Sequence, residues 1–326
     1  PVLVEELATE GLLVDSDGAK CVFPPGHSNR DGAPLPLIVQ NSAGGFTYAA
    51  TDLAGVRDRT QRLGAQLLVY VVGLPQSEHL EMVFAVSRQM GWLGAGCEAV
   101  HVGFGNVLGA DGKMFRTRQG TTVKLDELLD EAVARARSVV ESRASADQPS
   151  DADLGAIASA VGLGAVKYAD LSTDRTRDYR FDWDRMLSLD GNTAPYIQYA
   201  HARCGSILRR AHAEGVPGLR ASPGGLPEWA ARASRPPVEP EERQLAIKLL
   251  CFGDAVASAL EAYAPHRLCT YLFELASAFT TFYERCNVLR APGDELRLAR
   301  LGLCALTGAV LRQGLDLLGI EAPERM

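Results

Sequence analysis

The most constraining feature of the 326-residue sequence is a near-continuous apolar run, Leu67–Gly73, which reads Leu-Leu-Val-Tyr-Val-Val-Gly. A strand without polar alternation is typical of a parallel sheet, whose strands are buried on both faces. Further apolar runs lie at Leu35–Val39 and Ala99–Leu108, with helical periodicity at 48–62 and 78–90 between them. This order predicts successive strand–helix–strand units with right-handed crossovers.

The second half of the sequence has a different pattern. Beyond a polar stretch at Ser145–Asp153 the strand signal largely disappears, and a Gly- and Pro-rich excursion occupies residues 215–240. We therefore predict an α/β domain over residues 1–150 and an all-α helical bundle over residues 151–326. The predicted helices are 154–171, 192–213, 241–263, 266–286 and 294–318.

Composition excludes several classes of protein. No apolar run approaches the roughly 18 residues of a membrane span, and acids stand where a signal peptide has basic residues, so we expect a cytoplasmic protein without a membrane partner. The net charge of −7 requires any nucleic-acid surface to be a local basic patch. The seven cysteines form no CxxC pair, so we predict neither a metal site nor a disulfide framework. A first residue of Pro instead of Met indicates processing, trimming or a piece of a longer chain.

A cationic loop follows the third apolar run. After a Gly-Ala-Asp-Gly turn, four cations lie within twelve residues, and no acid occurs before Asp126. Such charge is not neutralised locally and would attract a polyphosphate. An ordinary solvated loop is the alternative. The cations are Lys113, Arg116, Arg118 and Lys124.

Tyr48 and Asp52 stand at positions i and i+4 of a predicted helix, so they share one face. A phenol beside a carboxylate suits a planar cation, because Asp accepts two hydrogen bonds from a guanidinium group. Alternatively, Tyr48 packs on the sheet and Asp52 pairs with Arg57 or Arg59.

Gln76 and His79 follow the strand Leu67–Gly73. Ligands of open α/β sheets bind at the carboxyl ends of the strands, so both residues lie where a substrate would be recognised. His79 is alternatively a polar residue in the first turn of a helix.

The predicted helix 192–213 mixes aromatic and cationic residues. Such a helix can bind structured RNA through its phosphates and unstacked bases. The alternative interpretation, equally supported, is that the tyrosines are core residues and the arginines are solvated. The residues concerned are Tyr196, Tyr199, His201, Arg203, Arg209, Arg210 and His212.

Several blocks, in this order, resemble the C-terminal portion of the bacterial arginyl-tRNA synthetases. They are Tyr48-x-x-x-Asp52, Tyr70-Val-Val-Gly-Leu-Pro-Gln76-x-x-His79, His101-Val-Gly-Phe-Gly105, Gly112-Lys-x-Phe-Arg-Thr-Arg118, Gly191-Asn-Thr-Ala-Pro-Tyr196 and Gly319-Ile-Glu-Ala-Pro-Glu-Arg-Met326. The resemblance covers essentially the whole chain. A nicotinamide dehydrogenase is excluded, because no G-x-G-x-x-G follows a strand.

The resemblance implies a Rossmann-type catalytic domain that activates arginine with ATP, followed by an anticodon-binding domain. By this match Tyr48, Asp52 and Gln76 would bind the arginine side chain. His79 and the block His101, Gly103, Phe104 and Gly105 would bind ATP.

The cationic loop would correspond to the KMSKS-type catalytic loop of these enzymes, with Lys113, Arg116 and Arg118 supplying the charge. The implied partners are arginine, ATP with Mg²⁺, and tRNA-Arg, with no role for DNA. The residues that would contact tRNA are Asn192, Tyr196, Tyr199, Arg203 and Arg210.

One departure matters for the function. Class I synthetases carry a His-x-Gly-His signature that contacts the ATP phosphates, and this chain has none; His101-Val-Gly-Phe104 belongs to a different block. Two interpretations remain. Either the chain is part of a ligase whose other portion, on the same or on a separate N-terminal chain, supplies the signature, or it is a free-standing paralogue that binds tRNA or arginine without aminoacylation.

Overall fold

The computed structural model describes residues 1–109, 112, 124–143, 151–216 and 235–326. These residues form two compact units, Pro1–Asn106 and Val107–Met326, which are described separately. This division falls well before the predicted domain boundary at residue 150, which lies outside the described residues and stays a prediction. Most of the predicted excursion at 215–240 also lies outside them.

The first unit begins with a helix and a small antiparallel sheet and continues as a strand–helix–strand unit. A one-turn π-helix extends α2, and a short 3₁₀ turn, Leu74–Gln76, joins β4 to α3. The elements are α1 (Val2–Thr9), β1 (Val14–Ser16), β2 (Ala19–Val22), β3 (Leu37–Gln40), α2 (Tyr48–Arg57), β4 (Leu67–Gly73), α3 (Ser77–Gln89) and β5 (Glu98–Phe104).

The parallel pairing predicted for the second strand–helix–strand unit is confirmed, and that of the first is wrong. Strands β4 and β5 pair in parallel along their full length, from Leu67 opposite Glu98 to Gly73 opposite Phe104. Strand β3 instead pairs antiparallel with β2. In β3 Leu37 and Val39 are buried while Ile38 between them is exposed, and covering one face only is typical of an antiparallel sheet.

One apolar core holds the first unit together. Helix α2 contributes Leu53 and Val56, helix α3 contributes Val83 and Val86, and Leu7 of α1 closes the cluster; all five are fully buried. The three-residue spacing of the positions on α2 and on α3 places each pair on a single apolar stripe of its helix. The opposite, polar side of α2 and α3 is thereby free to carry functional groups.

The second unit is largely helical, as predicted. The predicted helix 241–263 is broken at Cys251, and the predicted strand 99–108 divides into β5 and β6. The elements are β6 (Val107–Leu108), α4 (Leu125–Arg143), α5 (Asp151–Leu171), β7 (Tyr179–Arg180), α6 (Trp183–Met186), α7 (Ala194–Ala213), α8 (Pro240–Leu250), α9 (Phe252–Glu261), α10 (Pro265–Arg285) and α11 (Asp294–Leu317).

Helix α5 is central to this unit. Gly162 lets it lie directly against α4, because a Cβ there would stand 2.7 Å from the carbonyl oxygen of Ala132. The hydroxyl of Tyr168, which is 1% exposed, donates to the carbonyl of Cys269 and to Asn192 Oδ1. By length and hydropathy the stretch Asp153–Leu171 qualifies as a candidate membrane span. The expectation that the sequence contains no such segment is therefore wrong. The apolar residues of this stretch belong to two helical cores.

A buried ion pair joins α8 to α11. Arg300 Nε donates to Glu242 Oε1 at 2.6 Å, and Arg300 Nη1 donates to the carbonyl of Asn287. The other carboxylate oxygen accepts from the amides of Val238 and Glu239. Burial alone would raise the pKa of Glu242, but the hydrogen bonds from Arg300 and the two amides, with the charge of Arg300, hold it below its usual value.

We expect Glu242→Gln to lower the free energy of unfolding by about 3–5 kcal/mol, because it leaves the Arg300 charge buried without a counter-charge. Glu274→Gln, which breaks the exposed pair with Lys248, is the matched control and should cost less than about 1 kcal/mol. Urea unfolding measures both.

The same pair predicts a pH dependence. Since the folded-state pKa of Glu242 is lowered, its contribution is complete above the ordinary value of 4.5 and is lost as the pH falls through the folded-state pKa. The difference between the parent and Glu242→Gln should therefore shrink on acidification. A difference that stays constant from pH 7 to pH 3 would contradict the role of the pair.

Candidate functional site

The candidate site is built where β4 ends. Asp52 lies in the second turn of α2 and His79 in the first turn of α3, and His79 Nε2 is 2.7 Å from Asp52 Oδ2. Both side chains remain about one-third exposed. The structure therefore brings together Asp52, which the family resemblance assigns to arginine, and His79, which it assigns to ATP.

The alternative partners proposed for Asp52 are engaged elsewhere. Arg57 forms an ion pair with Glu6 at 2.7 Å. Arg59 Nη1 donates to the hydroxyl of Tyr70 at 2.9 Å, and its guanidinium group lies over the Tyr70 ring. Among the described residues, the Asp52 carboxylate therefore contacts the imidazole of His79. This contact leaves acceptor positions on both carboxylate oxygens.

Tyr70 was missed as a site residue by the sequence reasoning. Burial raises the pKa of Tyr70, the Arg59 guanidinium opposes this shift, and the Asp52 carboxylate adds to it. The phenol therefore stays protonated near neutral pH. The signal in the sequence was its position at the centre of the apolar run Leu67–Gly73, where a polar group at a strand's inner face is unusual.

Tyr48 and Gln76 lie on open surface. Tyr48 is the first residue of α2 and is 87% exposed, and it stands one helical turn before Asp52, as the spacing predicted. Gln76 ends the turn that leads into α3 and is also exposed. The residues predicted to bind the cation are therefore open to solvent, since the Asp52 side chain is also about one-third exposed.

The predicted ATP block occupies the carboxyl end of β5. His101 Nε2 donates to the carbonyl of Val72 at 2.9 Å, which fixes the proton on that nitrogen. Gly103 is buried, and a Cβ there would stand 2.7 Å from Leu74 Cδ2 and 3.1 Å from His101 Cε1. Glycine at this position therefore allows the imidazole to reach β4. Phe104 is about half exposed, and Gly105 directly follows the strand.

The described residues include only part of the cationic loop. Lys113, Arg116 and Arg118 lie outside the described residues, so their catalytic assignment stays a prediction. Lys124 is described, is exposed and directly precedes α4.

Helix α7 carries the residues predicted to contact tRNA except Asn192, which precedes it. The Arg203 guanidinium lies 4.8 Å from the ring centroid of Tyr283 and 5.4 Å from that of Tyr199. Tyr199 is 39% exposed, whereas Tyr196 packs against Phe273. The interpretation of aromatic residues as core thus holds for Tyr196, while Tyr199 and Arg203 form a surface group.

The remaining residues of the set differ in accessibility. Arg210 is exposed, and Asn192 is exposed while its Oδ1 accepts from Tyr168. His201 is buried, and its Nδ1 donates to the carbonyl of Gly308. The sequence analysis placed His201 among the residues presented to a partner, but its side chain lies inside the bundle, where it is hydrogen-bonded to the backbone of α11.

The fold and this arrangement agree with comparisons to known proteins. Residues 1–183 match the family model of the class I tRNA synthetase (R) catalytic domain, and residues 197–326 match the DALR anticodon binding domain. The chain therefore belongs to the class I tRNA synthetases, in the branch designated R. The predicted fold class, a parallel-sheet catalytic domain followed by a helical anticodon-binding domain, is confirmed.

Curated relatives of high identity carry the name arginine–tRNA ligase. The chain is 52% identical over 323 residues to the arginine–tRNA ligase of Thermobifida fusca and 48% identical over 324 residues to that of Streptomyces coelicolor, covering 99% of this chain in both cases. It spans 53% and 52% of their lengths, about half of each relative.

Solved structures give the same result. The arginyl-tRNA synthetase of Thermus thermophilus superimposes with a TM-score of 0.81 at 30% identity, covering all of this chain and 58% of that one. The arginyl-tRNA synthetase of Plasmodium falciparum has the same TM-score at 28% identity, with 52% of its chain covered.

The Asp52–His79 contact can be tested on the chain alone. We expect Asp52→Ala to move the ring-nitrogen resonances of His79 in ¹⁵N NMR, because the carboxylate acceptor is removed. The resonances of His101 serve as an internal control, since its acceptor is the backbone carbonyl of Val72. Unchanged His79 signals would show that the pair does not form in solution.

Proposed function

We propose that the chain is the C-terminal portion of an arginine–tRNA ligase, which activates arginine with ATP and transfers it to tRNA-Arg in the cytoplasm. The observation that carries the proposal is the match of 99% of this chain, at 52% identity, to a protein of that name. The partly exposed carboxylate of Asp52 supports the proposal, because its two oxygens offer acceptors for a guanidinium group.

The arginine substrate would place its guanidinium group against Asp52. Each carboxylate oxygen has two acceptor positions, so Oδ2 can accept from His79 and from the substrate together, while Oδ1 completes the fork. Gln76 and Tyr48 would supply the rim of the pocket. A lysine ammonium cannot satisfy a site built for a planar fork, and discrimination would follow from that mismatch.

Activation would then be an in-line displacement. The carboxylate of arginine attacks the α-phosphorus of ATP and pyrophosphate leaves; the terminal ribose hydroxyl of tRNA attacks the carbonyl carbon of the arginyl-adenylate and AMP leaves. Positioning and charge neutralisation would provide the rate, without a protein nucleophile. His79, His101 and the segment Gly103–Gly105 would hold the nucleotide.

Cations would stabilise the phosphate charge as it shifts to pyrophosphate. Lys113, Arg116 and Arg118 are the residues proposed for this role. Among the described residues no group of three or more His, Cys, Asp or Glu is placed to hold a metal ion, so Mg²⁺ would arrive bound to the ATP phosphates.

The helical unit would hold the tRNA. Tyr199 and Arg203 are the best placed of the predicted residues, because a partly exposed ring and a guanidinium group can stack on an unpaired base. Arg210 would contact phosphate. Asn192 accepts a hydrogen bond from Tyr168 and Tyr196 packs against Phe273, and their proposed role would be to position the start of α7.

The test is arginine-dependent charging of tRNA by this chain together with the portion of the Thermobifida fusca relative that it does not match, supplied as a separate polypeptide. We expect charging that requires both polypeptides. Binding of tRNA or arginine without charging would instead favour the paralogue that does not aminoacylate.

In that assembly, Asp52→Ala should raise the KM for arginine by roughly 10- to 100-fold, because a hydrogen bond to a charged group contributes about 1.5–3 kcal/mol. The KM for ATP should change little. Asp58→Ala removes a carboxylate that pairs with Arg62 at the far end of the same helix and is the matched control. An unchanged arginine KM would reject the assignment of Asp52.

For tRNA, we expect Arg203→Ala to weaken binding about tenfold and to reduce the salt dependence by about one ion. Arg203→Lys keeps the charge but loses the planar stacking surface, so it should recover the salt dependence and little of the affinity. Arg62→Ala, at an exposed arginine of the first unit, is the control. Equal affinities of parent and Arg203→Ala, measured by filter binding, would exclude this surface.

A further inference from the structure

One side chain of the first unit carries the same chemical group as the proposed substrate. Arg59 Nη1 donates to the hydroxyl of Tyr70 at 2.9 Å, and the guanidinium group lies 5.6 Å from the centroid of the Tyr70 ring. Arg59 is exposed, so it is not locked in place by packing. The chain thus holds, beside the candidate arginine site, a planar cation that could itself bind the Asp52 carboxylate.

Arg59 lies close to Asp52 along the helix. Asp52 and Gly55 are three residues apart in α2, so they are neighbours on one helical face. The Arg59 side chain folds back over Gly55, where a Cβ would stand 2.9 Å from Arg59 Nη1. The Asp52 charge also acts on the acceptor of this guanidinium group, since it helps to raise the pKa of Tyr70. About one helical turn therefore separates the guanidinium group from the carboxylate.

The acid next to Arg59 in the chain is already occupied. Asp58 accepts from Arg62 Nε at 2.6 Å and from Arg62 Nη2 at 2.7 Å, with one bond on each carboxylate oxygen. Asp52 keeps acceptor positions on both oxygens beside its contact with His79. If Arg59 were released from Tyr70, Asp52 would therefore be the more available acceptor of the two.

Tyr70 is held by the core in the position from which it binds Arg59. Its half-buried ring packs edge-on against the ring of Phe84 on α3, with 5.2 Å between the centroids, and Phe84 is 4% exposed. The backbone of Tyr70 is paired with His101 in the parallel register. The ring and the hydroxyl together give the guanidinium group a stacking surface and an acceptor.

We propose that Tyr70 is a positioning residue for arginine binding, which keeps Arg59 off Asp52 and so leaves the carboxylate free for the substrate. Without the Tyr70 hydroxyl, Arg59 would occupy Asp52 in a fraction of the molecules, and arginine would bind only the others. The apparent affinity for arginine would fall in proportion to the fraction that remains competent. This inference rests on the proposed function and gives a role in it to two residues that do not contact the substrate.

The first test is made on the chain alone. Tyr70→Phe removes the acceptor of Arg59 and keeps the ring that packs on Phe84. We expect it to move the ring-nitrogen resonances of His79 in ¹⁵N NMR, because the carboxylate that His79 contacts gains a second cation. The double variant Tyr70→Phe/Arg59→Met should return the resonances to their parent positions. Tyr70→Phe/Arg88→Met, which removes an exposed arginine from the last turn of α3, is the matched control and should not.

The second test uses the assembly with the unmatched portion of the Thermobifida fusca relative. We expect Tyr70→Phe to raise the KM for arginine about threefold to tenfold, which is the range that one hydrogen bond of ordinary net strength allows. A rise of about tenfold means that Arg59 fills Asp52 in about nine molecules of ten. The kcat at saturating arginine and the KM for ATP should not change, because the substrate displaces Arg59. Tyr70→Phe/Arg59→Met should restore the KM for arginine.

The outcomes distinguish a positioning role from a structural one. If the contact between Arg59 and Tyr70 only supports the fold, the double variant would be impaired at least as much as Tyr70→Phe, and that result would overturn the proposal. Unmoved His79 resonances in Tyr70→Phe would overturn it as well. An assembly that charges no tRNA would reject the ligase function, while the resonances of the chain alone would still decide whether Tyr70 keeps Arg59 off Asp52.

Discussion

The parallel pairing of β4 with β5 is the interaction on which the first unit depends. Seven residue pairs in one register bring the carboxyl ends of both strands to the same edge, with Gly73 opposite Phe104. Helix α3 can only return over the sheet from that edge, and its first turn therefore carries His79 to Asp52. The His101 imidazole reinforces the pairing from within, because it crosses to the backbone of the neighbouring strand.

Much of this fold could be predicted because the strongest signals are local. The bounds of β4 follow directly from its apolar run, and α3, α7 and α11 follow from their periodicity. The antiparallel pairing of β3 could not be predicted, since a four-residue strand carries too few positions to show alternation. The break at Cys251 was also missed, because periodicity alone does not register a single residue that leaves the helix.

The residues of the candidate site could be predicted from the sequence, but the side chains that they contact could not. The spacing of Tyr48 and Asp52 predicted a shared helical face, which the structure has. That Asp52 meets His79, while Arg59 turns to Tyr70, depends on how α2 packs against α3 and β4, and no local pattern encodes such long-range geometry. The same reason explains His201, whose hydrogen-bond acceptor is a backbone carbonyl of α11, more than a hundred residues away.

The close approach of α4 and α5 at Gly162 leaves no tolerance at that position. A Cβ there would stand 2.7 Å from the carbonyl oxygen of Ala132 and 2.8 Å from Cα of Val133, so any larger residue would force the two backbones apart. The separation would spread to the core that the helices share, in which Ala136, Val161 and Ala165 are buried. The absence of one side chain thus sets the spacing of two helices along their packed length.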